Sequence, residues 1–196
     1  LENVKQLATH DKGRTLERIL STLSDLGYKT SWKIHNALHY GLPQKRERTI
    51  IVGFLNHTVD FSWPKRVDEF TPLENLLEKK VDKKHFASDA VRKKRKLSHK
   101  SAHKVSIWHE NKSGNISSYP YSCALRAGAS YNYLLVNGER RLTPREMLRL
   151  QGFPDDFEIV CSDTQTRKQV GNAVPVPMIQ LVIKEVLNAN AKAQCV

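Results

Sequence analysis

The sequence predicts an α/β fold whose layer is interrupted by an irregular, basic region. Three observations lead to this prediction. Helix-like and strand-like apolar patterns alternate at the start of the chain, and an apolar helix-like segment lies near its end. The long segment between them has little regular periodicity. We therefore expect the two apolar ends to pack in one layer and the polar middle to form a separate, substrate-reading unit.

The opening of the chain alternates between helical and extended patterns. Residues 11–27 predict an amphipathic helix, because leucine and isoleucine recur at helical spacing and Gly27 can close the helix in a left-handed conformation. Residues 28–34 place Tyr, Thr, Trp and Ile at every second position, which predicts a strand. Residues 49–55 form an apolar run of strand length. A helix between extended segments favours an α/β layer.

Two later helix starts and one apolar helix complete the pattern. Residues 71–74 (Thr-Pro-Leu-Glu) and 143–146 (Thr-Pro-Arg-Glu) share one design, in which Thr caps the helix, Pro occupies its first turn and Glu reaches back to the cap. Residues 62–118 are otherwise polar, charged and weakly periodic. Residues 178–187 are apolar nearly all round, which predicts a buried helix that packs on the opening segment.

The chain is strongly basic, and most of the excess charge lies in one segment. It has 32 lysine and arginine residues against 20 aspartate and glutamate residues, a formal net charge of +12. Residues 79–104 hold 11 of the basic residues and 2 aspartates, so this segment carries +9. Nucleic acid is the commonest partner for such a field, and a solvated helix face is the alternative. Phosphate contacts are predicted for Arg92, Lys93, Lys94, Arg95 and Lys96.

Cysteine usage and hydropathy give expectations about environment. Cys123, Cys161 and Cys195 lack the spacing of a zinc site, and an odd number of cysteines fits a reducing compartment. We find no apolar run long enough to span a bilayer and no leader-like start, so neither a membrane partner nor secretion is expected. Because the chain begins at Leu1 and runs straight into patterned sequence, we interpret it as a fragment or a processed piece.

Four short motifs carry residues suited to chemistry. They are Leu-Glu-Asn-Val at 1–4, Gly-Leu-Pro-Gln-Lys-Arg-Glu-Arg at 41–48, the stretch 140–154 with Arg-Arg-Leu-Thr-Pro-Arg-Glu and Arg-Leu-Gln-Gly-Phe-Pro, and Gly-Asn-Ala-Val-Pro at 171–175. In the second motif, Gln, Arg and Arg at alternating positions would point to one side of an extended segment and form a polar fork for a planar, oxygen-bearing ligand. Taken singly, each motif also fits an exposed strand or a simple turn.

Together and in this order, the motifs resemble motifs VI, VIII, IX and X of the DNA cytosine-5 methyltransferases. The resemblance covers the whole chain. It implies the C-terminal part of a Rossmann-like methyltransferase domain with an inserted small, irregular, mostly β target recognition domain. Residues 1–61 would belong to the catalytic α/β domain, residues 62–160 to the recognition domain with motif IX, and residues 161–196 to a hinge and the motif X helix.

The resemblance also implies a chemistry. Such enzymes flip a cytosine out of duplex DNA and add a cysteine thiolate to its C6 atom, after which C5 attacks the methyl group of S-adenosyl-L-methionine. During the addition at C6, Glu2 would donate a proton towards the ring nitrogen N3, and Arg48 would hold the cytosine oxygen O2. Gln44 and Arg46 would complete the active site by supporting the base pocket and the loop around it.

Further residues are assigned to the cofactor and to DNA. Asn172 and Val174 match the motif that closes over the methionine end of S-adenosyl-L-methionine. The region 105–137 is expected to read bases, with Arg126 and Asn132 as candidate DNA contacts. Ala124 stands where the family usually has a threonine that contacts phosphate, which puts that contact in doubt.

The family nucleophile, in a Pro-Cys motif upstream of motif VI, has no counterpart in this chain. We therefore expect the chain to be inactive alone and to require an N-terminal half, in the same polypeptide or as a separate subunit, in a prokaryotic cytoplasm. No metal is expected. Two alternatives stay open: a catalytically inactive DNA-binding homologue or subunit, and a tRNA cytosine-5 methyltransferase.

Overall fold

Residues 1–194 are described by the computed structural model, and Cys195 lies outside them. The strands are β1 Glu2–Val4, β2 Lys29–Asn36, β3 Gln44–Lys45, β4 Glu47–Phe54, β5 Ile107–Glu110, β6 Ile116–Tyr119, β7 Ser122–Cys123 and β8 Leu134–Val136. The α-helices are α1 Arg14–Asp25, α2 Asp89–Ser98, α3 Pro144–Leu150, α4 Asp163–Asn172 and α5 Val176–Gln194. The observed mixture of helices and strands confirms the predicted α/β class.

The first sheet is built from the start of the chain and packs against its last helix. Its three antiparallel strands have the order β1–β4–β2, with β4 in the centre. In this sheet Glu2 pairs with Ile50, and Trp32 pairs with Ile51. Because successive side chains of a strand point to opposite faces, Ile50 and Ile51 lie on different faces of the sheet. On one face, Ile50 packs in a core with Met178 of α5. The predicted contact between the opening segment and the last helix is therefore present.

The first predicted helix is present but begins three residues later, at Arg14. Asp11 and Lys12 have φ angles of 50° and 58°, which place them in the left-handed region and outside a right-handed helix. Ile19 of this helix and Ile51 of β4 border a cavity of about 180 Å³. Helix α1 therefore lies on the face of the sheet opposite to α5.

A second core lies within the inserted region. Strands β6, β5 and β8 form a small antiparallel sheet in that order, and only α2 and short 3-10 helices add regular structure between residues 62 and 106. The core side chains come from this sheet, from the segment before α3 and from helices α3 and α4: Ile107, Leu134, Val136, Leu142, Leu150 and Val170. This arrangement agrees with a small, irregular, mostly β insertion. The boundaries at residues 61 and 160 stay predictions.

The two predicted helix starts behave differently. At Thr143 the complete capping box is present, and the Glu146 carboxylate also forms a double ion pair with Arg140 at 2.8 Å. At Thr71 only a three-residue 3-10 helix follows, without a side-chain cap, so that prediction is wrong. The Thr71 amide donates instead to the Gly41 carbonyl, which holds this segment extended against the loop before β3.

Helix α5 is less buried than its composition predicts. Met178 and Val182 are buried, but Ile183 is 51% exposed and Leu187 is 63% exposed, so the prediction of burial all round is wrong. By length and composition, the stretch Asp163–Gln194 could cross a membrane, which corrects the expectation that no such stretch exists. Core helices of soluble proteins have the same length and composition.

Candidate functional site

A cleft of about 640 Å³ lies between the first sheet and the inserted region. The β1–β4 edge contributes Glu2 and Arg48, and the loop after β7 contributes Arg126. Asn172, at the end of α4, closes another side. Residues from three of the four sequence motifs thus meet in one space, although they are up to 170 positions apart in the chain.

Glu2 and Arg48 form an ion pair on the wall of this cleft. The Arg48 Nε donates to the Glu2 carboxylate at 2.8 Å, and Arg48 Nη1 donates to the Glu47 carbonyl at 2.8 Å. The antiparallel register places Glu2 opposite Ile50, two residues beyond Arg48, so both side chains lie on the same face of the sheet. Burial lowers the pKa of Arg48, and the neighbouring carboxylate opposes this shift.

Arg46 holds two loops of the cleft together. It is 1% exposed, and its guanidinium donates to the carbonyls of Leu125 at 2.7 Å, Gly171 at 3.0 Å and Ala173 at 2.6 Å. Burial, followed by the nearby charge of Arg48, lowers the pKa of Arg46 to about 10. At neutral pH this arginine therefore stays charged, and its Nη donors are used by backbone oxygens instead of a ligand.

Gln44 also connects two segments by hydrogen bonds behind the cleft. Its side-chain amide donates to the Leu150 carbonyl at 2.8 Å, and its oxygen accepts from the Leu125 amide at 3.1 Å. It is fully buried and does not line the cleft. This corrects its inclusion among the catalytic residues. Gln44 and Arg46 together fix both the amide and the carbonyl of Leu125, the residue before Arg126, so they act by positioning.

Gly171 brings the motif at residues 171–175 against the loop after β7 (residues 124–128), the predicted recognition loop. A Cβ atom at Gly171 would lie 2.7 Å from the carbonyl carbon of Arg126 and 2.8 Å from the Cα of Ala127, so only glycine allows this approach. The next residue, Asn172, is exposed in the cleft, whereas Val174 is half-buried and does not line it. Asn172 therefore presents its side chain to the cleft, and Val174 does not face that space.

The basic helix α2 does not present all five predicted basic residues. Arg95 is 1% exposed, and its Nη2 donates to the Glu110 carboxylate at 2.6 Å and to the Asn132 carbonyl. This burial corrects the prediction that Arg95 contacts DNA. Asn132 is itself half-buried, and its side-chain oxygen lies 3.5 Å from Arg141 Nη1. Both residues therefore hold parts of the inserted region together.

The other four basic residues of α2 remain accessible to different degrees. Arg92 pairs with Asp89 on its own helix, and Lys96 pairs with Glu139. Lys93 and Lys94 are exposed and have no ion pair within residues 1–194. The free charge of the helix is therefore concentrated at two lysines.

Several residues of the cleft escaped prediction. Lys45 and the backbone of Ala127 and Gly128 line it. Lys45 belongs to a recognised motif, but its position beside two arginines gave no reason to single it out. The loop residues contribute backbone and small side chains, for which a single sequence carries no signal.

Comparisons with known proteins identify the family of this chain. A family model described as C-5 cytosine-specific DNA methylase matches residues 1–188. The chain is 55% identical over 187 residues to the type II methyltransferase M.NgoBI of Neisseria gonorrhoeae, covering 94% of this chain and 59% of that protein. It is 52% identical over 192 residues to the type II methyltransferase M.HaeII of Haemophilus aegyptius, covering 96% and 60%. It thus spans about three fifths of these relatives.

Solved structures show the same fold at low identity. The Entamoeba histolytica methyltransferase EhMeth has a TM-score of 0.70 at 15% identity, covering 95% of this chain and 61% of that one. The S. pombe Dnmt2 methyltransferase has a TM-score of 0.69 at 19% identity, covering 95% and 65%.

Proposed function

The chain belongs to the C-5 cytosine-specific DNA methylase family, and on that premise we propose that it is the C-terminal part of a DNA cytosine-5 methyltransferase of a restriction-modification system. The complete enzyme would transfer a methyl group from S-adenosyl-L-methionine to cytosine in a specific duplex sequence. The observation that carries this proposal is the ion pair of Glu2 and Arg48 in a cleft that also holds Arg126 and Asn172.

The paired side chains suit the edge of a cytosine ring. Cytosine presents N3 and O2 side by side, and addition of a nucleophile at C6 moves negative charge onto both atoms. The Arg48 guanidinium would stabilise the charge at O2, and Glu2 would donate a proton to N3.

Asn172 is the residue that best fits a role at the cofactor. Its exposed side chain shares the cleft with Glu2, as a residue between the cofactor and the base should. S-adenosyl-L-methionine, when bound, supplies an electrophilic methyl group. Arg46 would keep this turn and the recognition loop in fixed relative positions, because it bonds to carbonyls in both.

The nucleophile would come from outside the described residues. Cys123 does not line the cleft, and burial raises the pKa of its thiol, which disfavours the reactive thiolate. Cys161 contacts Thr166 and Gln169 on α4 instead. We therefore propose that an N-terminal part, in the same polypeptide or a separate subunit, supplies the nucleophile and most of the cofactor site, in the cytoplasm of a prokaryote.

Methyl transfer measured with and without the N-terminal part tests the proposal. The 196-residue chain alone should transfer no labelled methyl group to duplex DNA, and addition of the N-terminal part should restore transfer. Transfer by the chain alone would contradict the assignment of the nucleophile. A reconstituted protein that binds DNA without methylating it would support an inactive DNA-binding homologue. Faster methylation of tRNA than of duplex DNA would support the tRNA alternative.

A further inference from the structure

Five side chains behind the recognition loop form an alternating stack of arginine and tyrosine. The order along the stack is Arg126, Tyr133, Arg167, Tyr131 and Arg141. The distances from each guanidinium carbon to the next ring centroid are 4.9, 5.8, 4.6 and 5.7 Å in that order. Each ring thus lies between two cations, an arrangement that orders the guanidinium groups before any ligand arrives.

The positive charge of this stack is not neutralised by acidic side chains. Within residues 1–194, no ion pair includes its three arginines, and their donors go mainly to backbone carbonyls. Arg167 donates to the Ser130 carbonyl at 2.9 Å and to the Ala129 carbonyl. Arg141 donates to the Lys84 carbonyl. Carbonyl oxygens orient a guanidinium without removing its charge, so the stack can still attract an anion.

An acidic residue does border this region, but it has its own partner. The Asp163 carboxylate pairs with Lys84 Nζ at 2.9 Å and lies 3.9 Å from His85 Nε2. The pair with Lys84 offsets the Asp163 charge. The net charge that faces the region therefore comes from the arginines.

The stack borders a cavity of about 230 Å³ with an apolar floor. Its apolar lining comes from the recognition loop, β8, the segment before α3 and α3 itself: Leu125, Leu134, Leu142, Pro144 and Met147. Pockets for drug-sized ligands usually measure about 300–1,000 Å³. A smaller cavity with an apolar floor and a cationic rim suits one planar ring system that carries an anionic group.

This cavity lies next to the catalytic cleft. Leu125 and Arg126 line both spaces, so one residue pair of the recognition loop separates them. A DNA strand that brings a cytosine to Glu2 and Arg48 would place its neighbouring nucleotides close to this wall.

We propose that the cavity is a nucleotide-binding site, in which the base enters the apolar space and the phosphate contacts Arg141 and Arg167. The chemistry is the same for a nucleotide of bound DNA and for a free mononucleotide. The DNA form rests on the proposed methyltransferase function, because it takes a nucleotide that flanks the target cytosine. The site would then add a contact to the flanking sequence that the cleft itself does not make.

Charge removal tests the phosphate contact in the complete enzyme that contains this chain. Calorimetry with deoxyguanosine monophosphate should show that Arg167→Gln weakens binding about tenfold or more, because a charge-assisted contact is lost. Lys168→Gln, at an exposed neighbour on α4, should change affinity less than about twofold. Binding that persists in Arg48→Ala excludes the catalytic cleft as the source of the signal. Equal affinity of the Arg167→Gln and Lys168→Gln variants would overturn the proposal.

Cavity filling tests the base. Met147→Trp should abolish mononucleotide binding, whereas Leu97→Trp, at a residue 80% exposed on α2, should not. Met147→Phe is a smaller change at the same position. Thermal unfolding of both variants shows whether a loss of binding is caused by misfolding. Unchanged binding in a folded Met147→Trp protein would overturn the proposal, because the ring would then bind elsewhere.

A duplex with 2-aminopurine beside the target cytosine distinguishes the two sources of nucleotide. An increase in fluorescence on binding, lost in Met147→Trp, supports a DNA nucleotide in the cavity. Mononucleotide binding without any change at the flanking bases supports a free nucleotide as the ligand. Neither readout requires methyl transfer, so failure of the proposed enzyme activity would leave this test intact.

Discussion

The cleft and the basic helix α2 use arginine and lysine in opposite ways. In the cleft, Arg46 is buried and bonds to three carbonyls of two loops, and Arg48 pairs with a carboxylate that faces open space. On α2, Arg95 is buried in the recognition domain, while Lys93 and Lys94 extend into solvent. The comparison shows that net charge locates a basic region, whereas burial and partners decide which cations can meet a ligand.

The largest effect is expected in the cleft. In a reconstituted enzyme, Glu2→Gln should keep most of the DNA affinity and lose about 10²–10⁴-fold in rate, because general acid catalysis is typically worth that much. Arg48→Ala should also lose rate, since the oxygen it would hold gains charge during the reaction. Single-turnover methyl transfer, with DNA binding measured separately, checks both variants.

A matched control for Glu2→Gln lies on β4, the strand that carries Arg48. Glu47 pairs with Lys5 at 3.0 Å outside the Glu2–Arg48 contact, so Glu47→Gln should change the rate little. If the Glu2→Gln and Glu47→Gln variants both turned over at the wild-type rate, Glu2 would not be the proton donor and the cleft would not be the active site.

The sequence indicated which residues of this motif matter better than it indicated their positions. The predicted alternation of Gln44, Arg46 and Arg48 is interrupted where the Arg46 amide donates to the Gln44 carbonyl at 3.0 Å, and Gln44 does not line the cleft that Arg46 and Arg48 line. It could not indicate that Arg46 and Gln44 would be covered, because the carbonyls and amide that they bind lie 79 to 127 residues away along the chain. Of these three residues, only Arg48 lies in the first sheet with a side chain that can reach a ligand, as Glu2 on β1 also can.

The same limit applied to the helices. Residues 92–96 indicated a basic surface, but Arg95 turns inwards to Glu110, a contact between α2 and β5 that no local pattern encodes. For α5, apolar composition predicted burial, yet Ile183 and Leu187 are exposed within the described residues. The capping box at Thr143 was predictable because all its partners lie within one turn.

A smaller effect is expected where the two loops of the cleft meet. Gly171→Ala should destabilise the protein by about 1–3 kcal/mol, because its Cβ would collide with the backbone of Arg126 and Ala127. Gly128→Ala is the matched control, since a Cβ there meets no atom within 4 Å. Urea unfolding measures both variants.

Gly171→Ala should also lower the rate of methyl transfer more than its loss of stability explains, because the collision would displace Arg126 in the cleft. Equal stability of Gly171→Ala and Gly128→Ala would show that the recognition loop is not held against α4 as closely as described.

The smallest effect is expected on α2, and it should be independent of DNA sequence. If Lys93 and Lys94 contact phosphates, each contributes about 0.9 to the magnitude of the log–log salt slope of binding. Replacing both with Ala should therefore flatten the slope by up to about 2 units and weaken cognate and non-cognate duplexes equally. Binding titrations at several salt concentrations measure the slope.

Two exposed lysines of α5, Lys184 and Lys192, provide a control with the same change in net charge. Their replacement by Ala should leave the slope nearly unchanged, because they lie on the helix that packs against the first sheet and outside the recognition domain. An equal slope change in both double variants would mean that only total charge matters. A selective loss of cognate binding in the α2 variant would mean that these lysines read bases, since phosphate contacts carry no sequence information.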